Sequence, residues 1–239
     1  MINLNPLQLN KIKTECLLRY PEEMVGALTQ DDFFPYPNIS ENKESSFLLS
    51  LEDTFSILRN KEIIALAHSH TLKGKESRFD LRTPSYSDIT GQKKSGIPWL
   101  IFGTEGINIT SPIELPRIKN PNYVGREFIW FINDCYTLVQ DYLYFEQGIE
   151  TMDSLPPPDF KRLPCMSGIF DSRLEEYGFK SKQVKFPLKE GDICIVDNVG
   201  YKKNHLAIFH QGKFLHQNII SSYVPFETFL GHIHCILYR

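Results

Sequence analysis

Asn204-His205-Leu206-Ala207-Ile208-Phe209-His210-Gln211-Gly212-Lys213-Phe214-Leu215-His216-Gln217 reads as two strands, His205 to Phe209 and Lys213 to Gln217, joined across a tight turn centred on Gln211-Gly212. A turn there sets His216 opposite Ala207. His205 and His216 then leave the same face as diagonal neighbours, about 7 to 8 Å apart at the backbone and within reach of a ring-to-ring hydrogen bond. Upstream, Asp134 to Phe145 reads as a helix with Cys135 in its first turn, where the positive end of the macrodipole favours a thiolate and lowers the cysteine pKa. One imidazole can act as base toward such a thiol while the other fixes its tautomer. The same residues also fit a plainer account, with Cys135 a core cysteine and the histidines incidental strand residues.

The 239 residues suffice for two domains of ordinary size. Apolar residues make up 41% and charged residues 23%, a globular composition, and no run approaches the roughly 18 to 20 apolar residues of a membrane helix, so membrane insertion is not expected. The start, Met1 to Pro6, lacks the pattern of a secretion signal. Five widely spaced cysteines without a CxxC pair read as reduced thiols. A net charge of −3 without a basic block gives no footprint for nucleic acid.

In the first half, Asn5-Pro6 reads as a helix start, with a helix over about 7 to 20 carrying Leu9, Ile12 and Cys16 at helical spacing. Phe47 to Leu58 has no clear period. Glu62 to Ala67 reads as a buried strand ending at His68, with further strands at Ile97 to Phe102 and Ile107 to Ile109. Prolines 112, 116 and 121 put a boundary within residues 111–122. In the second half a Pro-rich segment from Leu155 precedes a short helix near Ser172 to Tyr177, and Asp192 to Asp197 reads as a strand.

His68 and His70, at i and i+2 of an extended segment, project to one side, and Asp88 can add a carboxylate oxygen. That ligand set suits Zn²⁺ with a fourth position left for water, and Glu23 could take a proton from that water. Ser77 and Asp80 offer a rival spacing to Ser85 and Asp88. A second His-x-His, His232-Ile233-His234, has no acidic residue after it and reads as a strand without metal chemistry.

Tyr123 to Phe128, Asn133 to Val139, Glu190 to Ile195 and Asn204 to Ile208 together resemble the NlpC-type cell-wall peptidases in the version found in phage tail proteins. The resemblance covers roughly residues 120–239, with Ala207 where the family usually has glycine. It implies a papain-like domain in which a Cys-bearing helix packs on an antiparallel sheet. Cys135 would be the nucleophile, His205 the base, His216 the polar third member and Tyr123 a substrate-pocket residue, acting on the stem peptides of peptidoglycan. Pro21 to Gly26, His68-Ser69-His70, Pro84 to Asp88 and Ser95 to Trp99 resemble, in order, the JAMM (MPN) metalloprotease pattern. Thr71 stands in place of a common proline, and the loop before Ser85 is longer than usual. This second resemblance implies an MPN-like α/β/α domain with a mixed sheet, zinc on His68, His70 and Asp88, Glu23 as general base and Ser85 as an oxyanion donor.

The expectation is an α+β chain of two domains, residues 1–115 and 120–239. A JAMM-like module followed by an NlpC-type module is similar to the arrangement in lambda-type phage tail tip proteins. That implies other tail tip proteins as partners, a place in the virion tail and synthesis in host cytoplasm.

Overall fold

The computed structural model describes residues 2–72, 80–151, 179–198 and 201–238. The helix expected near Ser172 to Tyr177, the Pro-rich segment from Leu155 and Cys165 lie outside them. The chain is of the α+β class and divides into two compact units, Met1–Ile118 and Lys119–Arg239.

The first unit opens with helix α1 (Pro6–Arg19), for which Asn5 and Gln8 form a reciprocal cap. Strands β1 (Val25–Leu28) and β2 (Phe33–Tyr36), helix α2 (Leu51–Arg59), strand β3 (Ala65–Thr71), helix α3 (Tyr86–Ser95) and strands β4 (Trp99–Thr104) and β5 (Ile113–Leu115) follow. The sheet runs β2-β1-β3-β4-β5 and is mixed, because α3 returns the chain so that β4 lies parallel to β3. Ile12 and Cys16 of α1 pack on Met24, Leu28, Phe33, Ala65, Ala67, Leu100 and Phe102. Strand alternation turns His68 and His70 away from this cluster, to the face that α3 covers. Gly26 is needed where β1 passes the Phe33 ring, since a Cβ there would sit 2.3 Å from it.

Several boundaries differ from expectation. β3 begins at Ala65 and runs through both histidines, so they sit within the strand and gain its rigidity. Ile109 makes only an isolated bridge to Thr104, and the edge strand is β5, inside the proline-rich stretch assigned to a boundary. Residues 51–59, read as aperiodic, form α2 because Ser50 caps Asp53 N–H, although the helix buries only Ile57 and leaves Leu51, Phe55 and Leu58 exposed. β1 and β2 were not anticipated.

The second unit contains helix α4 (Cys135–Gln147) and strands β6 (Lys180–Lys182), β7 (Ile193–Asn198), β8 (Tyr201–His210), β9 (Lys213–Gln217), β10 (Ser221–Val224) and β11 (Ile233–Tyr238). All pairs in the sheet β10-β9-β8-β7-β11-β6 are antiparallel. The β8–β9 hairpin has Ala207 opposite His216, and Gln211 and Gly212 both adopt positive φ, as a two-residue turn requires. One face of the sheet, with Ile193, Ile195, Leu206, Ile208, Leu215 and Leu237, receives Leu138, Val139, Tyr142 and Leu143 of α4. The other face carries Cys194, Val196, Ala207, Phe214 and Ile236 against Leu188 and Phe229. Among the described residues, no helix is long and apolar enough to cross a membrane.

Candidate functional site

In the first unit β3 and α3 bring three side chains together. His68 Nε2 lies 3.2 Å from His70 Nε2 and 3.3 Å from Asp88 Oδ1, and His70 Nε2 lies 3.2 Å from Asp88 Oδ2. All three residues are buried, with ligand atoms within 4.8 Å of one another. His70 Nδ1 meets the Leu81 carbonyl oxygen at 2.7 Å, which makes Nδ1 the protonated nitrogen and leaves the Nε2 lone pair facing the cluster. Gly103, alongside His70 in the parallel register, permits this contact, because the Leu81 side chain occupies the space a Cβ would need. Phe47 and Trp99 pack against the His68 ring. Burial works to raise the Asp88 pKa, but the His68 and His70 rings hold the carboxyl well below the ordinary range.

Asp88 also caps α3: its Oδ2 accepts from Ser85 N–H at 2.6 Å, and Ser85 Oγ accepts from Asp88 N–H at 3.1 Å. The Ser85 hydroxyl is therefore an acceptor for the helix, with its proton left over for donation. Pairing of β1 with β3 continues past Val25, through Met24 N–H to Ser69 Oγ and Ser69 N–H to the Met24 carbonyl, both at 2.9 Å. By that register the buried Glu23 lies opposite His70 on the same face. Asp80, the rival ligand, pairs with Arg82 at 2.7 Å, while Ser77 lies outside the described residues. The donor chemistry fits a divalent ion: two imidazole nitrogens and a carboxylate converge with one ring fixed from behind, and His68 Nδ1 is buried without a hydrogen-bond partner.

In the second unit Cys135 is the first residue of α4. Asp134 caps the helix by accepting from Thr137 N–H at 2.8 Å, and its other oxygen accepts from Phe131 N–H at 2.9 Å. Phe131 has φ of 65°, an unfavourable conformation for a bulky residue that this bond helps to hold. His205 Nε2 and His216 Nδ1 meet at 3.0 Å with the rings edge to face, and Phe229 flanks both. Leu206 N–H of β8 is turned toward the Cys135 thiol. Strand alternation sends the His205 and His216 rings to the face with Ala207, Phe214 and Phe229, opposite the one that receives α4, and among the described residues no hydrogen bond joins the sulfur to either ring.

The electrostatics overturn one expectation. Burial, reinforced by the Asp134 carboxylate, pushes the Cys135 thiol up to about 12, against the pull of N–H groups of Leu206, Cys135 and Tyr136. The helix terminus acts in the anticipated direction and is outweighed. Burial and the neighbouring His216 lower His205 to about 3, and burial lowers His216 as well. At neutral pH this arrangement holds a protonated thiol and two uncharged imidazoles.

Tyr123 is placed elsewhere. Its hydroxyl meets Glu146 Oε1 at 2.9 Å and its ring packs on Tyr142, along α4 about two to three turns from Cys135. The segment before Cys135 is pinned by Arg126, whose Nη1 pairs with the fully buried Asp141 at 2.7 Å and whose Nε donates to the Asn122 carbonyl. Sequence reasoning missed Asp134, Asp141, Leu81 and Gly103. The Asp-x-x-Thr spacing at the helix start could have revealed Asp134, whereas a backbone carbonyl such as that of Leu81 leaves no sequence signal.

No protein-family model matches the chain. It is similar to the tail tip assembly protein K of Escherichia phage N15, with 26% identity over 229 residues that cover 91% of this chain and 88% of that protein.

Proposed function

We propose that the chain is a phage tail tip assembly protein that works with other tail tip proteins in the virion tail, and that its second unit is a cysteine peptidase acting on stem peptides of peptidoglycan. Similarity to the phage N15 protein along nearly the whole chain supports the tail role. The peptidase reading is supported by one observation: a thiol at the start of α4 lies toward Leu206 of β8, the chain neighbour of a histidine whose ring is held by a second histidine. In the reaction Cys135 Sγ bonds to the acyl carbon as its proton passes to His205, which then delivers it to the leaving amine. His216 fixes the His205 ring. Because the resting pair is uncharged, the proton moves when substrate arrives and no ion pair waits beforehand.

The first unit is proposed as a JAMM-like zinc site held by His68, His70 and Asp88. Zinc held there would supply a Lewis acid and lower the pKa of a bound water. Glu23, opposite His70 by strand register, is the carboxylate proposed to take a proton from that water, and Ser85 Oγ keeps a proton to donate to a developing oxyanion.

Purified stem peptides incubated with wild-type and Cys135→Ala protein test the peptidase. Release by the wild type alone is expected, and equal, undetectable release from both rejects it. A second reading, a structural tail-tip protein whose sites are not used in catalysis, is favoured by the buried, protonated thiol. It requires phage carrying Cys135→Ala to assemble and infect normally.

A further inference from the structure

His232-Ile233-His234 belongs to neither site described above. The motif lies where β11 meets β7, and Asp197 N–H donates to the His232 carbonyl at 3.2 Å. The Asp197 carboxylate faces both rings: Oδ1 is 2.5 Å from His234 Nε2, and Oδ2 is 3.8 Å from His232 Nδ1. Pairing of the two strands slips by one residue between Ile233 and Cys235, so His234 is the extra residue of a bulge. Ile233 packs with the cluster on one side of the sheet and Cys235 with the cluster on the other, which no regular strand would allow. Bulges of this kind re-aim side chains, and here His234 is turned over the Asp197 carboxylate. The acid absent from the sequence downstream of the motif comes instead from an upstream strand. All three side chains are open to solvent, His232 at 60% and the other two at about a quarter.

We propose that Asp197, His232 and His234 form a second metal site, a surface site for a first-row divalent cation of the Zn²⁺ or Co²⁺ kind. Two imidazoles and one carboxylate are a donor set these ions favour over Mg²⁺ or Ca²⁺. The cation takes the place of the proton that His234 Nε2 now shares with Asp197, and the exposed His232 ring rotates to bring its nitrogen inward. The site is independent of any peptidase activity.

Zinc bound per chain, measured by equilibrium dialysis and elemental analysis of the full-length protein, tests it with His234→Ala and Asp197→Asn variants whose folding is checked by circular dichroism. Each variant should lose one equivalent relative to wild type, whatever the buried histidines of the first unit retain. Unchanged stoichiometry in both variants overturns the proposal. Should His234→Ala fail to fold, His232→Ala replaces it, since that ring is the most exposed of the three. A Zn²⁺ equivalent lost on Asp88→Ala but kept in the β11 variants would support the first-unit site and reject this one.

Discussion

Two buried histidine pairs in this chain have nearly the same ring contact and different company. His68 and His70 touch at 3.2 Å with the Asp88 carboxylate against both, whereas His205 and His216 touch at 3.0 Å among Phe229, Ala207 and Phe214. A buried carboxylate supplies the negative charge that makes a cation welcome between two rings. Without one, burial keeps both rings neutral, and what they can handle is a proton. The company of a histidine pair thus decides its chemistry more than the pair itself.

Removing the carboxylate should break the contrast most severely. Asp88→Ala is expected to weaken zinc binding at least ~100-fold and to lower stability by about 1 kcal/mol through the lost helix cap, read by metal analysis and thermal unfolding. Retained zinc in a folded variant would show that the ion sits elsewhere. Adding a carboxylate runs the contrast backwards: His216→Asp should raise the His205 pKa from about 3 to above its ordinary 6.5, followed by the ring proton shifts in NMR.

Stability against pH separates the pairs more gently. Between pH 3 and 6.5 the unfolded chain binds the proton that folded His205 refuses, so stability is full above about 6.5 and falls as pH drops through that window. The slope should be on the order of 1 kcal/mol per pH unit and should flatten in His205→Gln, as urea midpoints will report. The smallest effect is expected at the thiol. Asp134→Asn removes the charge that reinforces burial while keeping an oxygen for Thr137 N–H, so alkylation of Cys135 at pH 8 should quicken up to ~10-fold. No change in rate would mean that burial alone sets the thiol.

Much of the second unit was legible because its signals are local. Gln211-Gly212 permits a two-residue turn, and that turn fixes the register of His205 and His216 without reference to anything distant. Cys135 was placed within the first turn of α4 for a similar reason, since the apolar residues of that helix lie within one segment. The first unit hid more. β1 is buried along its whole length, so Val25 to Leu28 show no alternation, and α2 turns its larger apolar residues outward. The thiol's electrostatics were misjudged because the helix terminus can be read from sequence and the depth of burial cannot. Arg126 with Asp141, Leu81 with His70 and Asp197 with His234 all join residues far apart in the chain or act through backbone.

Asp88 holds two posts at once. One carboxylate closes the opening turn of α3 and looks toward two imidazoles, so a descendant that abandoned metal would still want an acid at that position to keep its helix anchored. Finding aspartate there in related chains would testify to architecture alone. The partner that such a descendant could most easily discard is His68, whose Nδ1 is buried without a hydrogen-bond partner, and its loss or survival would be the better record of whether an ion was ever in use.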